Sequence, residues 1–156
     1  MKWRKTNAAN PRVAANIMAD TFVWPVRVYW EDTDAGGIVF YANYLKFFER
    51  ARTEWLRSLG VQQHTLKAET GGMFVVTGTE LRYHRPAVLD DCLHISAQVT
   101  ELGRASMTLY QRAVRQPTTP TEAEQLLCEG TIRIGWVEAE RMRPGRIPQS
   151  ILEVLK

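Results

Sequence analysis

The chain has 156 residues, enough for one domain with a real core and too few for two. Apolar residues at 45% and charged residues at 24% are ordinary globular values and exclude disorder of the whole chain. A net charge of +3 suits an anionic small-molecule ligand and is too weak an excess to argue for nucleic acid.

The first twenty residues open on the basic run Met1-Lys2-Trp3-Arg4-Lys5 but hold no continuous apolar core of a signal peptide. They are expected to form a disordered extension without function, leaving 21–156 as a single domain. Phe22-Val23-Trp24-Pro25-Val26-Arg27-Val28-Tyr29-Trp30 is rich in β-branched and aromatic residues and reads as a strand, with Pro25 tolerated near its start or at an edge. After an acidic, glycine-containing loop, Tyr44, Leu45, Phe47, Phe48, Ala51, Trp55, Leu56 and Leu59 follow helical spacing with a wide apolar face. The helix spans about 42–59, and Gly60 stands where a C′ residue belongs.

Beyond it the period changes. Met73–His84, Leu93–Leu102, Ala105–Val114 and Leu126–Val137 all read as strands, and the alternation of Leu93, Ile95, Ala97 and Val99 with polar neighbours is the cleanest of them. Leu102-Gly103-Arg104 marks a hairpin turn, and Gln116–Thr121 a longer loop. A turn-rich basic segment at Arg141–Gly145 precedes a short helix over Pro148–Leu155. The order predicts an α+β fold in which an antiparallel sheet of about five strands wraps one long central helix. A single helix leaves the far face and the edges of such a sheet uncovered, so oligomerisation is expected.

No apolar run reaches the roughly 20 residues of a membrane span. Cys92 and Cys128 lie far apart and form no CxxC pair, which suits a reducing compartment, the cytoplasm by default. His64, His84 and His94 are dispersed without metal-ligand spacing, so no metal site is expected.

The richest segment chemically is Glu31-Asp32-Thr33-Asp34-Ala35-Gly36-Gly37, just before the helix. Small acids and glycines ahead of a helix leave backbone N–H groups pointing outward, where an acyl carbonyl can be polarised while a carboxylate attacks it or activates water. The plain alternative for Asp34 is that it caps the helix or satisfies turn amides. Glu31 and Asp32 read as solvated loop charges, and Glu49 either faces a neighbouring subunit's pocket or pairs with Arg50 or Arg52.

Val28-Tyr29-Trp30-Glu31-Asp32-Thr33-Asp34-Ala35-Gly36-Gly37-Ile38-Val39-Phe40-Tyr41-Ala42-Asn43-Tyr44, continued by Phe48-Glu49-Arg50-Ala51-Arg52-Thr53-Glu54-Trp55-Leu56, closely resembles the hotdog-fold acyl-CoA thioesterases. The type is the one associated with the Tol–Pal system, related to the 4-hydroxybenzoyl-CoA thioesterases. The resemblance implies hydrolysis of acyl-CoA to a carboxylic acid and coenzyme A, with no metal or redox cofactor and coenzyme A present only as part of the substrate. It implies that Asp34 is the general base or nucleophile, and that the Tyr41 backbone N–H polarises the thioester carbonyl. The Tol–Pal type usually carries histidine at the place of Tyr41, whereas the hydroxybenzoyl type carries tyrosine, as here. Gly36 and Gly37 would admit positive φ and close substrate approach, with Met73 and Phe74 beside the acyl group. Arg104 is the first candidate for the coenzyme A phosphates, ahead of Arg82, Arg85 and Arg112. The resemblance further implies a site at a homodimer interface and a tetramer built as a dimer of dimers. A second reading of the same fold is a module that binds acyl carrier protein with little hydrolysis of free acyl-CoA; a dehydratase is weaker, for want of a suitably placed histidine.

Overall fold

The computed structural model describes residues 21–156, so the expectation for residues 1–20 lies outside the described residues. The elements in chain order are β1 (Phe22–Arg27), a 3-10 turn (Trp30–Asp32), α1 (Asn43–Ser58), α2 (Gln63–Thr70), β2 (Gly72–Tyr83), β3 (Cys92–Leu102), β4 (Ser106–Arg115), β5 (Gln125–Glu138), β6 (Arg143–Pro144) and α3 (Gln149–Leu155). All pairing is antiparallel, in the order β1-β3-β4-β5-β2, with the two-residue β6 added beside β5. The chain reaches β2 directly after the helices, yet β2 pairs with the last long strand and closes the opposite edge from β1. Pro25 therefore lies on an edge strand, opposite His94, where its missing N–H costs little.

Helix α1 forms because its apolar residues recur at helical spacing. Tyr44, Phe47, Phe48, Ala51 and Leu56 are buried on one face, in one core with Leu93, Ile95, Leu109 and Ala113 from the sheet and Val28 just after β1. It ends as the spacing predicts: Gly60 takes φ +82°, its N–H donates to the Arg57 carbonyl, and the Val61 N–H reaches back to Leu56. α1 packs over β1, β3 and β4, whereas the shorter α2 packs on β2. The helix thus covers one half of the sheet, and β2 is left paired on one side only, with Val76 to Glu80 exposed.

Three expectations need correcting. The first strand stops at Arg27; Tyr29 and Trp30, expected to continue it, flank and enter the 3-10 turn and lie exposed. Asp32 is not a solvated loop charge: it is 3% exposed, with Oδ2 accepting the Tyr29 N–H at 2.8 Å and Oδ1 accepting the Asn43 side-chain amide at 3.3 Å. Its carboxylate thereby ties the start of the loop to the first residue of α1. Helix α2 adds an element that the sequence does not announce, because Leu66 is its single buried residue and no apolar period marks it.

Candidate active site

The loop between β1 and α1 folds back on itself as a narrow hairpin. The Asp34 N–H donates to the Ile38 carbonyl at 2.9 Å, the Gly37 N–H to the Asp34 carbonyl at 3.0 Å, and the Phe40 N–H to the Asp32 carbonyl at 2.9 Å. Thr33 and Val39 form a bridge across it, and Ile38 bridges to Val88. The two glycines serve different ends. Gly37 has φ +78°, the left-handed region that favours glycine. Gly36 lies outside that region, but a Cβ there would sit 3.1 Å from Asp34 Oδ1, where the carboxylate now receives the Gly36 N–H at 2.8 Å.

Asp34 is exposed, with Oδ1 fixed by that amide and Oδ2 accepting from no described group. It does not cap α1, whose N-cap is Ala42 and has no side-chain cap bond, but through the Gly36 N–H it does satisfy a turn amide, the other half of the plain alternative. The helix begins at Asn43, two residues beyond Tyr41. The N–H groups of Tyr41 and Ala42 donate to no described group, while the Tyr41 carbonyl accepts the Tyr83 hydroxyl at 2.9 Å. The end of β2 thus holds the peptide that turns into α1, leaving unpaired donors at the positive end of the helix dipole. Burial raises the Tyr83 phenol above its ordinary value, keeping it a donor, and burial pushes neighbouring Tyr44 up to about 12. Tyr29, Trp30 and Tyr41 are 60, 79 and 64% exposed, and Ile38, Phe40, Tyr83 and Val88 add to an apolar surface around the acidic loop.

Met73 and Phe74 are not beside this loop within one chain. They start β2, whereas Tyr83 ends it, about 30 Å away at strand rise. Phe74 faces inward, stacked edge-on with Trp136 at 4.9 Å, and lines a cavity of about 250 Å³ between α1 and β2. Met73, one residue earlier, points to the other face of the sheet by the alternation of the strand. Glu49, Arg52, Thr53 and Gln63 give that cavity its polar groups. Glu49 accepts the Thr53 hydroxyl at 2.7 Å and forms no ion pair among the described residues. Arg52, expected as a surface partner for Glu49, is in fact 8% exposed and donates to Gln111 Oε1 at 2.8 Å.

Arg104 follows the β3–β4 turn, where the Gly103 N–H donates to the Ser106 carbonyl at 2.8 Å. With Arg146 and Lys156 it lines a cavity of about 570 Å³ that has no acidic residue in its wall. The other arginines are differently engaged. Arg82 and Arg112 both lie opposite Glu129 in the sheet register, on its outer face. Burial alone would raise the Glu129 carboxyl, but hydrogen bonds from Tyr110 and His84 outweigh it and hold the group below the usual carboxylate range. Among the described residues no group of three or more His, Cys, Asp or Glu side chains is arranged to hold a metal ion.

An antiparallel sheet curled about one helix, with a carboxylate loop feeding the helix start, is the architecture of a hotdog thioesterase domain. The Thioesterase-like superfamily matches residues 28–155, and the chain belongs to it. It is similar to the acyl-CoA thioester hydrolase YbgC of Escherichia coli O6:H1, 42% identical over 135 residues that span 86% of this chain and 96% of that protein. Among solved structures, a probable thioesterase from Bartonella henselae aligns with a TM-score of 0.73 at 31% identity, over 83% of this chain and all of that one. The 4-hydroxybenzoyl CoA thioesterase of Pseudomonas sp. strain CBS-3 shares the fold, with a TM-score of 0.78 at 24% identity over 87% of this chain and 99% of that one.

Proposed function

We propose that the chain is a thioester hydrolase that cleaves acyl-CoA at a site shared between two copies. The observation that carries the reading is the pairing of an Asp34 carboxylate with one open oxygen and unpaired backbone N–H groups at Tyr41 and Ala42, on one rigid loop before a helix. Those N–H groups polarise the thioester carbonyl and stabilise the oxyanion as it forms. With Asp34 as base, it takes the proton of a water that adds to the carbonyl; the tetrahedral intermediate collapses, the C–S bond breaks, and the coenzyme A thiolate leaves and is protonated. With Asp34 as nucleophile, its oxygen forms a mixed anhydride as the thiolate leaves, and water then opens the anhydride. Water is the second substrate in both, and neither asks for a metal or redox cofactor.

The β2 edge supports the shared site. Antiparallel pairing of two β2 strands sets the Phe74 end of one chain beside the Tyr83 end of the other, joining the loop of one subunit to the cavity of its partner. Phe74 then lies beside the acyl group, and Met73 supports the wall from the far face. A dimer of such dimers is the proposed assembly. Arg104, with Arg146 and Lys156, gives the coenzyme A phosphates a cavity whose charged side chains are all cationic. An acyl carrier protein offers the same thioester on an acidic surface and is the second substrate class. Among the described residues no helix is long and apolar enough to cross a membrane. The cytoplasm, where Cys92 and Cys128 stay reduced, is the proposed compartment.

The test is thiol release across acyl-CoAs from short aliphatic to hydroxybenzoyl, with acyl-carrier-protein thioesters alongside. Asp34→Asn should lower kcat about 10²–10⁴-fold while far-UV circular dichroism stays unchanged. Equal turnover by the folded variant would overturn the role given to Asp34. Silence toward every acyl-CoA, with turnover or tight binding of the carrier thioesters, would move the function to the carrier protein.

A further inference from the structure

The core of the domain holds a polar chain that the hydrolysis itself does not use. Gln111, fully buried on β4, donates from Nε2 to the carbonyls of Phe48 and Ser96 at 3.0 and 3.2 Å. Those two bonds fix its amide so that Oε1 faces α1 and accepts from Arg52 Nη1. Arg52 forms no ion pair among the described residues. Its Nε and Nη2 donate to no described group, yet neither is sealed off, and the residue lines the cavity between α1 and β2. Apart from Glu49, Thr53 and Gln63, the rest of the wall is apolar, with Trp55, Leu56 and Met107 facing Phe74, Val75 and Val76 of β2. Glu49 sits at the exposed rim, where Gln63 donates to Thr53 and Thr53 to Glu49. A guanidinium that is largely stripped of water, held rigid and left with open donors is a receptor for an oxygen acceptor.

We propose that Arg52 reads a carboxylate at the distal end of the acyl group, so that the preferred substrates are coenzyme A monothioesters of short dicarboxylic acids. The proposal rests on the shared-site reading, in which this cavity faces the Asp34 loop of the partner subunit. Its volume of about 250 Å³ lies below the roughly 300–1,000 Å³ of pockets for drug-sized ligands, which selects a short acyl group. Gln111 is the positioning residue: it touches no substrate and aims the fork.

Glutaryl-CoA and valeryl-CoA have equal carbon counts and differ at the distal end. The wild-type protein should favour glutaryl-CoA by about tenfold or more in kcat/KM, chiefly through KM, as a charge-assisted hydrogen bond provides. Arg52→Gln should bring that ratio close to one, and Arg52→Lys should restore part of it. A merely structural Arg52 would lower Tm and leave the ratio where it was, which overturns the proposal. So does a wild-type ratio near one, or a 5-hydroxyvaleryl-CoA that matches glutaryl-CoA. Because Arg52→Gln replaces a buried group, a second measurement uses the wild-type protein alone: free glutarate should raise Tm more than the uncharged glutaramide at equal concentration. Equal shifts overturn the proposal even if no variant folds. No turnover of any thioester, with the glutarate shift intact, overturns the hydrolase reading and leaves the Arg52 receptor standing.

Discussion

Asp34 and Asp32 are two residues apart in one acidic run, and the fold assigns them opposite tasks. Asp32 is buried and commits both oxygens to the Tyr29 and Asn43 donors, while Asp34 is exposed and keeps Oδ2 open. A similar division separates the ionisable groups of the core from those of the surface. Burial pushes Cys128 up to about 12 from an ordinary value of 9.0, and Tyr44 and Tyr110 up to about 12 from 10.0. In each case the unfolded chain releases its proton first, so the contribution to stability is whole below the ordinary value and is lost as pH rises toward the folded one. Thermal unfolding should therefore show Tm falling from pH 9 toward pH 12, with Cys128 responsible for the first part of the fall. Cys128→Ala should delay its onset to about pH 10, where the tyrosines begin; an unchanged onset would mean that the thiol is not the group released.

Helix α1 is the element on which sequence and structure agree most closely, over Asn43–Ser58 against an expected 42–59. Gly60, at φ +82° with no atom within 4 Å of the place a Cβ would take, tests its end cleanly. Gly60→Ala meets no clash but must hold a left-handed backbone, so it should cost about 1 kcal/mol and a few degrees of Tm, with kcat/KM unchanged. The helix, the four long strands β2 to β5 and the acidic loop were legible because apolar period and turn residues are local signals, whereas the two-residue β6 falls in a segment read as turns. The pairing of β2 with β5 was not, since nothing in either strand names a partner some fifty residues away. Tyr29 and Trp30 misled for a related reason: aromatic residues favour strands, yet here they sit exposed on the site's rim. The buried state of Arg52 did have a signal, for it follows Phe48 by four residues and Ala51 by one, inside the apolar stripe. Its charge argued for the surface, and only Gln111, far along the chain, explains why it is inside.

At the scale of the molecule the long helix covers only half of the sheet. α1 lies on β1, β3 and β4, the cavity opens beside β2, and the exposed aromatic residues collect around the loop near the end of that strand. One chain therefore carries both halves of the proposed site, the loop beside Tyr83 at one end of β2 and the cavity beside Phe74 toward the other. The consequence is genetic. A subunit with Asp34→Asn and a subunit with Arg52→Gln are each defective toward the dicarboxylic substrate, and each spoils a different half. In a mixed dimer one site inherits both lesions and the other inherits neither, so two poor alleles expressed in one cell should restore close to half of the wild-type activity per mixed dimer. Assay of the co-expressed, doubly tagged and purified pair measures this directly, and activity no better than that of either parent would mean that each chain completes its own site.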